Sequence, residues 1–130
     1  VIPANSFTEW KTNTTGKQPF SIRVKRGPVL FAALWDIWEK DDYYLESCTI
    51  LTTAATDKFS SLHHRMPVLL SEETINLWLN TQTPVTSLKK LFDPNNAPEL
   101  EAFPVDKAIN NARNKDDRAI TPIGEAMVFE

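Results

Sequence analysis

The chain is 130 residues long, enough for one domain or most of one and too short for two separate cores. With 42% hydrophobic and 24% charged residues, and with seven Phe, four Trp and two Tyr, its composition excludes a disordered or low-complexity polypeptide. The formal net charge of −3 excludes a generic polycation, no apolar run approaches the roughly 20 residues of a membrane span, and one cysteine excludes an internal disulfide, which favours a reducing, cytoplasmic setting.

Charge is unevenly spread. Between Trp10 and Trp35 the charged residues are Lys11, Lys17, Arg23, Lys25 and Arg26, all cations, whereas acids collect at 36–46 and 99–101. Such a basic run suits either a solvated hairpin face or a phosphate-facing one. Phe20 to Val24 alternates apolar and polar, the period of a half-buried strand. Arg26-Gly27-Pro28 is turn chemistry, and Val29 to Trp35 reads as the returning strand, apolar enough for burial on both faces. Glu39 to Asp42 reads as a charged loop, and Leu45 to Thr53, rich in β-branched residues, as another strand. Asp57 to Leu62 suits a short helical or turn connection, and Met66 to Leu70 a fourth strand.

Farther along, Ser71 is placed as an N-cap, with Glu72 and Glu73 in the first turn of a helix. Ile75, Trp78 and Leu79 then form one apolar stripe. Val85, Leu88, Leu91 and Phe92 mark a second short helix, which Asp93-Pro94-Asn95-Asn96-Ala97-Pro98 ends. Leu100 to Val105 resumes extended structure. Strands at the centre with short helices outside make the expected class α+β, with a mainly antiparallel body.

Two segments carry residues suited to chemistry. In Leu62-His63-His64-Arg65-Met66-Pro67 an ionisable His stands beside a fixed cation, which pushes it toward neutrality and suits it to proton transfer. In Phe7-Thr8-Glu9-Trp10 a carboxylate sits among aromatic residues; desolvation there would raise its pKa, whereas a solvent-facing strand Glu would titrate normally. Adjacent His63 and His64 should diverge in most backbone conformations, and with no third His no metal site is expected. Cys48, among Ser47, Thr49 and Ile50, reads as a small buried core residue. Arg65 alone could be a salt-bridge residue and Thr52 an ordinary β-former.

Taken in order, the opening Val1-Ile2-Pro3-Ala4-Asn5-Ser6-Phe7-Thr8-Glu9-Trp10, Lys17-Gln18-Pro19-Phe20, Phe31-Ala32-Ala33-Leu34-Trp35, Thr49-Ile50-Leu51-Thr52-Thr53-Ala54-Ala55, the His-Arg-Met-Pro box, Pro104-Val105 and Asn110-Asn111-Ala112-Arg113-Asn114 resemble the SOS response-associated peptidase (SRAP) family. Members covalently capture abasic sites in single-stranded DNA. The resemblance implies that Glu9 and His63 are the catalytic pair and that Arg65 and Thr52 contact DNA, with single-stranded DNA bearing abasic sites as partner and no cofactor. It places His64 where members usually carry Asp, and Phe103 and Asp106 where they often carry His and Ser. The family's nucleophile is an N-terminal cysteine in a Met-Cys-Gly-Arg start, which does not precede Val1. Residues 1–130 therefore read as the C-terminal portion of one such domain, inactive by itself, with a missing N-terminal segment or a second copy as a further partner. Trp10, Trp35 and Trp38 are expected to line the face left uncovered.

The alternatives are a non-catalytic fragment that binds single-stranded DNA weakly, or a thiol peptidase. The latter needs a Cys–His pair in one cleft.

Overall fold

The computed structural model describes residues 1–114, 116–127 and 129. Its first half is built of β1 (Ile2–Ala4), β2 (Phe7–Asn13), β3 (Gly16–Val24), β4 (Val29–Phe31), β5 (Ala33–Lys40), β6 (Tyr43–Ile50) and β7 (Thr52–Ala54). These are followed by α1 (Asp57–Ser60), β8 (Arg65–Pro67), α2 (Ile75–Leu79), α3 (Val85–Lys89) and β9 (Leu100–Pro104), with 3-10 turns at Lys107–Asn110 and Asp117–Ile120. All named pairings are antiparallel: β1 with β4, β5 with β6, β7 with β8, and β2-β3-β9 as a three-stranded sheet. The α+β class with an antiparallel body is thus the observed one.

In the three-stranded sheet Phe7 lies opposite Ile22, and Ile22 opposite Ala102, so their side chains share a face. Against that face pack Phe59 of α1, Leu62 and Met66, all buried. The Thr56 hydroxyl accepts the Phe59 amide at 3.1 Å and so starts α1. This fixes the Phe59 ring, which stacks with Phe7 at 6.5 Å and Phe129 at 6.0 Å. A second cluster joins Val24, Val29, Phe31 and Leu69, and a third joins Ala32, Val68 and Leu70.

The other face of the sheet is closed by residues late in the chain. Trp10 Nε1 donates to Asn110 Oδ1 at 2.7 Å. Arg23 lies over the Phe103 ring at 4.3 Å and bonds Glu101 at 3.2 Å, while Lys25 pairs with Glu99 at 2.8 Å. Two of the five cations in the basic run are therefore neutralised across β3 and β9. The solvated-face reading holds for Arg23 and Lys25.

Several boundaries differ from the sequence-based expectation. Val29 to Trp35 is two strands divided at buried Ala32, and Trp35 is 71% exposed rather than buried. Ala32 breaks the strand because its amide and carbonyl bond Val68 and Leu51 in the body, while the following residues turn away into the β5–β6 hairpin. Glu39 and Lys40 belong to β5, leaving Asp41-Asp42 as the turn, with Asp41 at φ 54°. Leu45 to Thr53 is likewise split at Leu51. Ser71 does not cap α2: the helix starts at Ile75, and the Ser71 hydroxyl donates to Glu73.

A candidate DNA-contacting and proton-transfer site

β7 and β8 pair with Thr52 opposite Pro67 and Ala54 opposite Arg65, which sets Thr52 and Arg65 on one face as diagonal neighbours. Arg65 Nη2 donates to Thr52 Oγ1 at 2.6 Å and to its carbonyl at 2.8 Å, and Nε donates to Oγ1 at 3.2 Å. Arg65 is exposed, and its Nη1 has no partner among the described residues. A guanidinium fixed on one side and open on the other is suited to a phosphate oxygen.

His63 Nδ1 lies 2.9 Å from the Arg65 carbonyl and 3.2 Å from the Arg65 amide. The first contact needs a protonated Nδ1 and the second an unprotonated one. With Nδ1 protonated, the shorter contact is a donation to the carbonyl, and Nε2 is the nitrogen left for a ligand. His64 does not diverge from it: the two rings stand 4.5 Å apart at 39°. The chain between Leu62 and Arg65 is held at both ends: the Leu62 and His63 amides bond the Phe59 carbonyl, and the His64 carbonyl accepts the Ala55 amide.

Glu9 is half-buried on β2, with its cross-strand partner Phe20 packed against the Phe59 cluster. Its strand face is that of Phe7, the face on which Phe59 and Leu62 sit; His63 directly follows Leu62, and Arg65 directly precedes Met66 of the same cluster. The fold thus gathers the strand bearing Glu9, the loop bearing His63 and the strand bearing Arg65 around one cluster. Thr52 joins through its clasp on Arg65. That clasp depends on the β7–β8 register, and the sequence offers no signal for it.

Cys48 is exposed, not buried. It lies on β6 opposite Trp35, in a hairpin with no third strand among the described residues to cover it. Trp10, Trp35 and Trp38 do not share a face: Trp35 and Trp38 point to opposite sides of the hairpin, and Trp10 is bonded to Asn110. Asp106 accepts the Ala108 amide at 2.7 Å and starts the turn that carries Asn110; Asn111 and Asn114 accept nearby backbone amides.

A cleft of about 580 Å³ between α1 and β9 is lined by Phe59, Met66, Leu100 and Phe129, and it contains none of Glu9, Thr52, His63 or Arg65. Among the described residues no group of three or more His, Cys, Asp or Glu could hold a metal ion, and no helix is long and apolar enough to cross a membrane. The ammonium of Lys25 holds the Glu99 carboxyl below its ordinary range through their hydrogen bond, and Lys25 is raised in return.

Residues 1–112 match the family profile described as SOS response associated peptidase (SRAP). The chain is 35% identical over 124 residues to the abasic site processing protein YoqW of Bacillus subtilis, covering 92% of this chain and 55% of that protein. It is 31% identical over 146 residues to the abasic site processing protein HMCES of Gallus gallus, covering 95% of this chain and 43% of the relative. It thus spans about half the length of these relatives. A protein of known crystal structure from Bacteroides thetaiotaomicron shares the fold with a TM-score of 0.82 at 23% identity, over 93% of this chain and 55% of that one.

Proposed function

The chain belongs to the SOS response-associated peptidase family, and from that premise we propose that it supplies the DNA-contacting and proton-transferring residues of a domain that captures abasic sites in single-stranded DNA. The observation that carries this reading is the family match over residues 1–112, which includes Glu9, Thr52, His63 and Arg65, together with relatives named for abasic site processing.

The chemistry follows from the substrate. An abasic deoxyribose rests mainly as a closed hemiacetal. The His63 imidazolium donates its Nε2–H proton to the ring oxygen while Nδ1–H is held by the Arg65 carbonyl, and as the C1 hydroxyl loses its proton the ring opens to the aldehyde. An N-terminal cysteine, supplied by the part of the family domain that this chain does not span, adds its amine to that aldehyde. Loss of one water gives the imine, and addition of the thiol across C=N closes a thiazolidine. Glu9 takes the proton released by the amine as the C–N bond forms; the same base serves removal of an initiator Met. Arg65, braced by Thr52, holds a backbone phosphate. Cys48 is internal and has no free α-amine, so it cannot form the ring. An aldehyde and an aminothiol call for no metal or organic cofactor. The setting is cytoplasmic, with the protein on the nucleoid when bound to DNA.

The test is binding of a single-stranded oligonucleotide carrying one abasic site, read with the 130-residue chain and with a chain extended to an N-terminal cysteine. The extended chain is expected to give a denaturant-stable adduct of summed mass less one water. His63→Ala and Glu9→Gln should slow it by roughly 10²-fold or more. Unchanged adduct rates in both variants would overturn the assignment. A non-catalytic single-strand binder is the second reading, favoured by the sole cysteine being internal. A thiol peptidase is not supported: Cys48 lies on the hairpin opposite Trp35, whereas His63 is tied to Arg65.

A further inference from the structure

The β5–β6 hairpin combines three properties that a free surface rarely has together. Both of its faces are apolar: Trp35, Ile37 and Ile50 lie on one, and Leu34, Trp38 and Leu45 on the other. They are open to solvent, with Trp35 71%, Trp38 57% and Leu34 54% exposed. Among the described residues, neither outer edge of the hairpin is paired. Exposed apolar patches with free strand edges are interaction sites or aggregation liabilities, and a lone two-stranded hairpin is marginal in water.

Charge decides which partner fits. The hairpin carries Asp36, Glu39, Asp41, Asp42 and Glu46 against the single cation Lys40. A surface this acidic repels phosphate, so its aromatic residues are not a base-stacking platform for DNA. It also repels a second copy of itself laid face to face. What remains is a different polypeptide that brings apolar side chains and strand edges. The relatives carry such a length: 124 aligned residues are only 55% of YoqW.

We infer that the β5–β6 hairpin is the docking surface for the part of the family domain outside the matched half, which pairs with its edges and covers Trp35 and Trp38. The base of the hairpin is built to hold it in place for this, since the Leu51 amide bonds the Ala32 carbonyl and Trp78 Nε1 donates to the Ala33 carbonyl at 3.3 Å.

The test uses the 130-residue chain and, as a separate polypeptide, the portion of YoqW outside the aligned region, followed by amide hydrogen exchange and tryptophan emission. Mixing should slow exchange across residues 33–50 at least tenfold and shift the emission to the blue. Trp38→Asp should abolish both changes while leaving exchange at Ile22 and Val29 as in the parent chain. Three results would overturn the inference: no protection on mixing, protection that appears in the chain alone as its concentration rises, or protection confined to residues outside the hairpin. No reading depends on DNA, so failure here is separable from failure of the proposed activity.

Discussion

Thr52 holds Arg65 by three hydrogen bonds, two to its hydroxyl and one to its carbonyl, and so uses Nε and Nη2 of the guanidinium while leaving Nη1 open. A braced cation loses less side-chain freedom when it meets a phosphate, so under the proposed function the contribution of Arg65 depends on its neighbour. Arg65→Ala should weaken single-strand binding and reduce the salt slope by about one. Thr52→Val should keep the slope and cost about 1 kcal/mol, roughly fivefold, as one hydroxyl acceptor is lost. Arg65→Lys should also keep the slope but not the affinity, because an ammonium cannot fork between Thr52 and a phosphate. Equal binding by all three variants, titrated against salt, would show that the phosphate contact lies elsewhere.

That clasp also marks what the sequence can and cannot disclose. β3 is legible because Phe20 to Val24 alternates and Arg26-Gly27-Pro28 closes it. β9 and the break at Asp93 to Pro98 are legible for similar local reasons. The division at Ala32 is not, since it arises from bonds to Leu51 and Val68, and both halves of the segment are equally apolar. Cys48, Trp35 and Trp38 have the composition of a core, but burial is set by how strands are layered, and β5–β6 stands outside the layers. The basic run leaves two readings open because the acids that answer Arg23 and Lys25 lie 78 and 74 residues downstream. Glu9, His63 and Arg65 are readable as a set only through order and resemblance; the cluster on which the elements bearing them pack is tertiary.

Exposure makes Cys48 a reporter. In the folded chain without denaturant, it should react with a disulfide reagent as readily as a thiol in a short peptide, because no packing shields it. Addition of the polypeptide that covers the hairpin should slow this labelling at least tenfold. Slow labelling of the isolated chain would mean that the hairpin folds back onto the body.

Phe59 is 2% exposed and joins α1 to the sheet through Phe7 and to the C-terminal segment through Phe129. Phe59→Ala should therefore cost about 3–5 kcal/mol of stability, measured by denaturant unfolding. Leu62→Ala, buried in the same cluster, should cost about 2–5 kcal/mol. A loss below about 1 kcal/mol for Phe59→Ala would mean that α1 is not seated on β2–β3.

The Lys25–Glu99 pair has a defined pH signature. The carboxyl of Glu99 is lowered from its ordinary 4.5, mainly by the Lys25 hydrogen bond, so its contribution is complete above pH 4.5 and is lost as pH falls through the folded value. Lys25 is raised from 10.5, so its contribution is complete below pH 10.5 and is lost as pH rises through the folded value. Carboxyl chemical shifts should show a Glu99 midpoint below 4.5 that returns toward it in Lys25→Met. Because both groups are exposed, global stability should scarcely change. An unmoved midpoint would mean that the pair does not form in solution.

The bonds that close the three-stranded sheet also set a timetable for its birth. Arg23 meets Glu101 across 78 residues, and Trp10 meets Asn110 across 100. A ribosome adding about 5–20 residues per second needs roughly 4–16 s to make the first of those spans. During that interval the edge of β3 has no strand to pair with, and Ile22 lies open where Ala102 will later pair. Such a nascent chain is the kind of substrate that holding chaperones retain, so the yield of folded protein in a cell should depend on their supply and on elongation speed.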